Sequence, residues 1–280
     1  MPSFSASDAA LEGVQLLRRH WRIAVGWAVF NLLAMGAVVI AFVIVGVVAA
    51  TLAGVDSATL GATVGAPIIA ITPPIVWLLT GCAVHRLILR PEERGFLYLR
   101  VGPDEVRSLV ALLVLSIGAA ALALASVAAG RVVLPVAPRA TFGVAVAAAV
   151  LAYGLSTRFG LVLPICVAEG RIDFARSWRL TRGQGWALVG MSLLSICLAL
   201  LLSVLVWGGF FVLTLAVVGF RELGELAGPE GFKNHTGLFL LQAIAPFLLS
   251  PFVVAITWAP WAEAYRVLTA QPGAEPEIPA

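Results

Sequence analysis

Ile23 to Leu52 reads IAVGWAVFNLLAMGAVVIAFVIVGVVAATL, with no charged residue in it. At a helical rise of about 1.5 Å per residue, about 20 residues cross the hydrocarbon of a bilayer. This stretch is about half as long again, so it tilts or projects beyond the bilayer. Five more apolar stretches follow: Ala66 to Val84, Leu109 to Ala129, Phe142 to Ala168, Trp186 to Val218 and Leu238 to Ala262. Within all six the only charge is Arg158. The sequence therefore reads as an all-α integral membrane protein with about six transmembrane helices. Residues 1–270 form a single six-span domain. Residues 271–280 contain Pro and Glu without an apolar pattern and are expected to form a disordered cytoplasmic tail.

Composition supports this. The chain is 61% hydrophobic and 12% charged, where a soluble domain carries roughly 25% charged residues. A single soluble core of this length could not hide so much apolar surface. The net charge of +3 is too small for a nucleic-acid footprint, and no nucleic-acid partner is expected. The Arg, Ala, Val and Gly bias is associated with GC-rich bacterial genomes. A cleaved signal peptide is not expected, because the apolar run after Arg18 and Arg19 far exceeds a signal h-region of roughly 7–15 residues. Cys82, Cys166 and Cys197 each lie in an apolar run and read as small buried hydrophobes. With His20, His85 and His235 scattered, no metal or cofactor is expected.

The arginines set the orientation. Thirteen basic residues fall before span one, between spans two and three, between spans four and five, and after span six. Only Arg131, Arg139, Arg221 and Lys233 fall on the other side. The positive-inside rule places the thirteen in the cytoplasm and, with six spans, both termini as well, in a bacterial inner membrane. The loop from Phe220 to Thr236 is the longest external one and reads as a short helix and a turn.

The three cytoplasmic segments suggest a repeat of three hairpins, each preceded by an amphipathic segment. The first opens with a possible Ser5–Asp8 capping box and carries Leu11, Val14 and Trp21 at helical spacing, as on a membrane surface. The second enters its span through Pro103, Asp104 and Glu105, a good helix start. The third sets Phe174 and Trp178 on one stripe, with Arg176 and Arg179 beside it. Each even-numbered span contains proline.

The stretch Pro164-Ile-Cys-Val-Ala-Glu169-Gly170, continued by Ser177-Trp178-Arg179-Leu180-Thr181-Arg182-Gly183, is the most distinctive. It resembles a motif of a loose group of bacterial multi-span membrane proteins, including the membrane domain attached to some glycerophosphodiester phosphodiesterases. The likeness spans about 20 residues and implies a membrane fold. It does not imply the phosphodiesterase activity, because every loop here is too short to hold that soluble domain.

Arg158 is the leading candidate residue. A charge at membrane depth costs about 2.5–3.5 kcal/mol on insertion scales, so it should face the bundle interior, a watery cavity or a lipid phosphate. The plainer reading is a local pairing or snorkelling near the cytoplasmic end. Arg176, Arg179 and Arg182 beside Trp178 suit an anionic headgroup or phosphate, or serve only to set topology. Glu169 and Glu263 read as structural ion pairs, Glu263 with an arginine of a cytoplasmic segment, and Trp258, Trp261 and Tyr265 as an interfacial belt. No nucleophile-and-base pair, phosphate loop or metal motif is visible, so an enzyme is disfavoured. The leading expectation is a non-enzymatic membrane protein that engages lipid or assists other membrane proteins. A small transporter or channel using the proline-broken even spans comes second, and a membrane enzyme third. Reporter fusions test the topology: Val55, Pro135 and Gly228 should read periplasmic, Arg94 and Gln184 cytoplasmic. Reversal at any two refutes it.

Overall fold

The computed structural model describes residues 5–53, 61–93, 95–133, 138–219 and 233–270. The tail 271–280 and most of the loop 220–236, both subjects of the expectations above, lie outside the described residues. The described elements are α1 (Ala6–Arg19), α2 (Trp21–Ala53), a π turn (Gly61–Gly65), α3 (Ala66–Leu89), a 3-10 turn (Phe96–Tyr98), α4 (Pro103–Val133), α5 (Pro138–Phe159), α6 (Val162–Glu169), α7 (Phe174–Leu180), α8 (Gly185–Val218) and α9 (Thr236–Thr269). There is no strand among the described residues. Six segments are long and apolar enough to cross a membrane, and the chain is an all-α, multi-span membrane protein. In the most apolar windows of spans one, three and five only 6% of residues are buried, against 41%, 17% and 33% in two, four and six. The odd spans thus show apolar side chains to lipid, and the even spans carry most of the packing.

The chain divides into two compact units. One comprises Met1–Gly13, Gly81–Ser195 and Thr257–Ala280, the other Val14–Thr80 and Ile196–Ile256. The core of the first gathers Ala9 and Ala10 of α1, Leu161 and Ile165 by α6, Leu188 and Met191 of α8, and Ala264, Tyr265 and Leu268 of α9. Ala111, Val162 and Cys166 make a second buried cluster. In α1, Asp8 N donates to Ser5 Oγ at 3.4 Å, the forward half of a capping box.

The fourth span is not one helix. Pro164 has no N–H for the carbonyl of Gly160, and its ring would press on that carbonyl. The chain breaks at Gly160–Leu161 and restarts as α6, which holds Pro164 in its first turn, where a missing N–H is harmless. The break is filled by Trp261, whose ring occupies the space of a side chain at Gly160. Trp258 does the same over Gly81 and lies 5.3 Å from the His85 ring. The aromatic residues at the end of span six therefore turn inward rather than forming a belt. Cys82 and Cys166 are buried as expected, but Cys197 is exposed on α8.

The order of short segment, odd span, even span recurs three times. The segments differ, however: α1 has 14 residues, the 3-10 turn three and α7 seven. Among the described residues only the fourth span is broken, whereas α3 runs through Pro73 and Pro74.

The spans of the first unit are tied by charge. Arg86, 1% exposed, forms an ion pair with Glu105, and its Nη1 donates to Tyr98 O at 2.7 Å. Glu105 Oε2 accepts from Gly102 N at 3.0 Å, holding the start of α4, where Pro103 is the first residue. Arg86 thus steadies a turn in which Leu97 and Tyr98 have φ of 54° and 58°, a conformation costly for residues with a side chain. Arg90 lies 3.1 Å from Glu93 and 3.5 Å from Asp104, and donates to Ala168 O at the end of α6 at 3.1 Å. Replacing Arg86 by Met strands the buried Glu105 and should destabilise the protein by about 3–5 kcal/mol. Arg100→Met, which removes an exposed partner of Glu93, should change stability by about 0–1 kcal/mol. Unfolding by SDS titration in mixed micelles measures both.

Candidate functional site

The best-defined site is built by the end of α5, the segment α7 and the start of α8, all in the first unit. Asp173 starts α7 by accepting from Arg176 N at 2.7 Å. The helix is then seated on Arg158. Ser177 Oγ donates to Arg158 O at 2.8 Å, and Arg158 Nη1 donates back to Thr181 O at 2.5 Å. The guanidinium carbon stands 5.5 Å from the centre of the Trp178 ring, a cation–π contact. Phe159 packs between the rings of Phe174 and Trp178, at 5.8 and 5.7 Å. The shared stripe of Phe174 and Trp178 therefore faces the end of α5.

The arginines expected to converge do not act alike. Arg176 is largely buried, its Nε 2.5 Å from Glu169 Oε1. Glu169 also accepts from Tyr265 Oη at 2.7 Å and from Arg171 Nε at 2.8 Å, closing α6, α7 and α9 together. That hydrogen bond raises the pKa of the exposed Arg171 above its ordinary value. Arg176 is therefore a structural cation rather than a ligand-facing one. Arg179 and Arg182 are exposed and have no partner among the described residues. Among the described residues Glu263 reaches no arginine of another segment. It pairs with Arg266 one turn along its own helix, at 2.8 Å.

Beside Arg158 opens a cavity of about 480 Å³, lined by Val150, Tyr153, Gly154, Thr157 and Arg158 of α5 and by Gly183, Gly185, Trp186 and Val189. Gly185 matters here. Arg158 Nη2 lies 3.1 Å from where a Cβ would stand, so a side chain would crowd the guanidinium. The first N–H groups of α8 lack intrahelical acceptors, as at any helix start, and carry its positive dipole end. Tyr153 Oη and Ser192 Oγ, 2.5 Å apart, add a polar contact near the lining. Trp186 is 89% exposed at the rim. An arginine, a helix start and a bare indole beside an apolar cleft can hold a phosphate-bearing amphiphile. Among the described residues no cluster of His, Cys, Asp or Glu could hold a metal.

No family model, curated protein or solved structure matches the chain. The roles of Trp186 and Gly185 were not readable from the sequence, where both look like the ordinary start of a span. Their signal was the adjacency of Arg182, Gly183 and Gly185, which leaves a helix start unshielded.

This division of labour is measurable. Arg176→Gln leaves Glu169 short of a buried partner and should cost about 1–3 kcal/mol. Arg179→Gln and Arg182→Gln should stay within about 0.5 kcal/mol of the parent. SDS-titration unfolding separates the two classes.

Proposed function

We propose that this chain is a non-enzymatic protein of a bacterial inner membrane, with both termini cytoplasmic, that engages anionic lipid through the cleft beside Arg158. The observation that carries the reading is the cleft itself. An arginine whose guanidinium makes one hydrogen bond among the described residues, a helix N-terminus and an exposed tryptophan frame an apolar cavity of about 480 Å³. Acyl chains suit the apolar walls. A phosphate suits the arginine fork and the helix start, and Arg179 and Arg182 are free to add attraction worth about 1 kcal/mol each near a charged surface.

A small transporter is the second reading. What favours it is a cavity in the second unit, bordered by Pro73 of α3 and Pro246 of α9. Both helices run on through these prolines, but each proline withdraws its N–H from the turn before it and so leaves a backbone carbonyl free to meet a solute.

Mass spectrometry of lipid co-purifying with the detergent-extracted protein tests the lipid reading. Arg158→Ala, Trp186→Ala and the double change Arg179→Gln with Arg182→Gln should each lower bound anionic lipid several-fold. Arg176→Gln should leave it in place, since that charge is already spent on Glu169. Unchanged lipid in the first three variants, with each protein folded, rejects the proposal.

A further inference from the structure

The second unit holds a polar cluster inside apolar helices. Asn31 of α2 is 1% exposed, and Ser250 of α9 is 7% exposed. Asn31 Nδ2 donates to Ser250 Oγ at 2.8 Å, and Ser250 donates its own proton to Phe247 O at 3.1 Å. Thr80 of α3 has one hydroxyl proton and two acceptors in reach, Val76 O at 2.8 Å and Asn31 Oδ1 at 3.3 Å. The shorter contact has the better claim on that proton, so Asn31 Oδ1 holds it only as a long, shared donor. One of the two lone pairs of the amide oxygen stays open to a second donor, in a place where water is scarce. The orientation of the amide follows from the same network, since a Ser250 oxygen whose proton is committed elsewhere needs a donor opposite it.

A partly enclosed cavity of about 240 Å³ opens against this amide. Beyond Asn31 and Ser250 its walls are apolar, with Met35, Pro73, Trp77 and Phe247 among them. No charged side chain lines it, and the described residues of this unit include no carboxylate. An ion placed here would have no countercharge, so the occupant must be neutral. Size narrows it further. An apolar cavity of about 150 Å³ takes up benzene, so one larger by roughly half takes a two-ring molecule. Trp77 and Phe247 offer faces or edges to such a ring.

We propose that this cavity is a binding site for a neutral, planar aromatic amphiphile the size of indole, held by one N–H or O–H donated to Asn31 Oδ1. The bilayer supplies such molecules by partition, and the donor sets the orientation of the ring. The site shares no lining residue with the cleft beside Arg158, so the two proposals stand or fall separately.

The test uses the full-length protein in nanodiscs and two probes, 5-fluoroindole and 5-fluoro-1-methylindole, which differ by the one N–H. Fluorine NMR titrations are read against empty nanodiscs to remove partition into lipid. The parent should bind 5-fluoroindole saturably and the methylated probe about tenfold more weakly, a difference of about 1.4 kcal/mol. Asn31→Leu should bind the two probes alike. Val76→Phe, which fills the cavity and spares the amide, should bind neither. Absence of a saturable component in the parent, or equal affinity for the two probes, overturns the proposal. So does undiminished binding by folded Val76→Phe. If Asn31→Leu does not fold, the probe pair in the parent and Val76→Phe still decide the matter.

Discussion

Hydrocarbon offers no partner to a backbone N–H or C=O, and nearly everything in this structure answers to that. Helices satisfy the demand within one segment, and every described element is helical or a helical turn. Proline then becomes a local problem, because it withdraws one donor from the ladder. The chain meets it in two ways. In the fourth span the helix stops one turn before Pro164 and restarts so that the proline falls where no donor is required. In α3 and α9 the helix continues through its prolines. Arg158 sits just before the break in the fourth span, as the last basic residue of α5, and is bonded to α7. The site therefore lies where backbone regularity fails.

The same solvent drives charge to the ends of the helices, and there most of it is consumed. Arg86, Arg90, Arg107, Arg171 and Arg176 each face an Asp or Glu, and several reach carbonyls as well. A basic count taken from such a face overstates what a ligand would meet. Around α7 the attraction that remains comes from Arg179, Arg182 and the unused side of Arg158, since Arg171 and Arg176 of the same loop are paired.

Six spans and their order were legible because length and apolar run are properties of contiguous residues. So were the start of α4 at Pro103 and the Ser5 cap, which are local signals. Pairings across the fold were not. Glu263 has Arg266 one turn away on its own helix, and a sequence does not say that this neighbour outcompetes a distant arginine. Arg176 and Arg179 look interchangeable in the motif and lie only about 60° apart around the helix, yet the rise of about 4.5 Å between them leaves one beside Glu169 and the other without that partner. Trp258 and Trp261 have the composition of a membrane-interface belt, and their inward turn depends on glycines far away in sequence, Gly81 and Gly160. Asn31 is a lone amide in the first apolar run, and nothing nearby marks it out, because its partners Thr80 and Ser250 lie 49 and 219 residues away.

The pairing of Arg86 with Glu105 also bears on how the protein is made. The two residues are 19 apart, one closing the second span and the other opening the third. A ribosome delivers Arg86 first, so for a time the guanidinium has no carboxylate and cannot settle into its buried seat. The second span is completed only by the arrival of the first turn of the third. Insertion is then coupled across what would otherwise be the boundary between successive hairpins. A nascent chain halted before Glu105 would carry a stranded arginine at the membrane edge, a mark by which proteolytic quality control could tell it from a finished one.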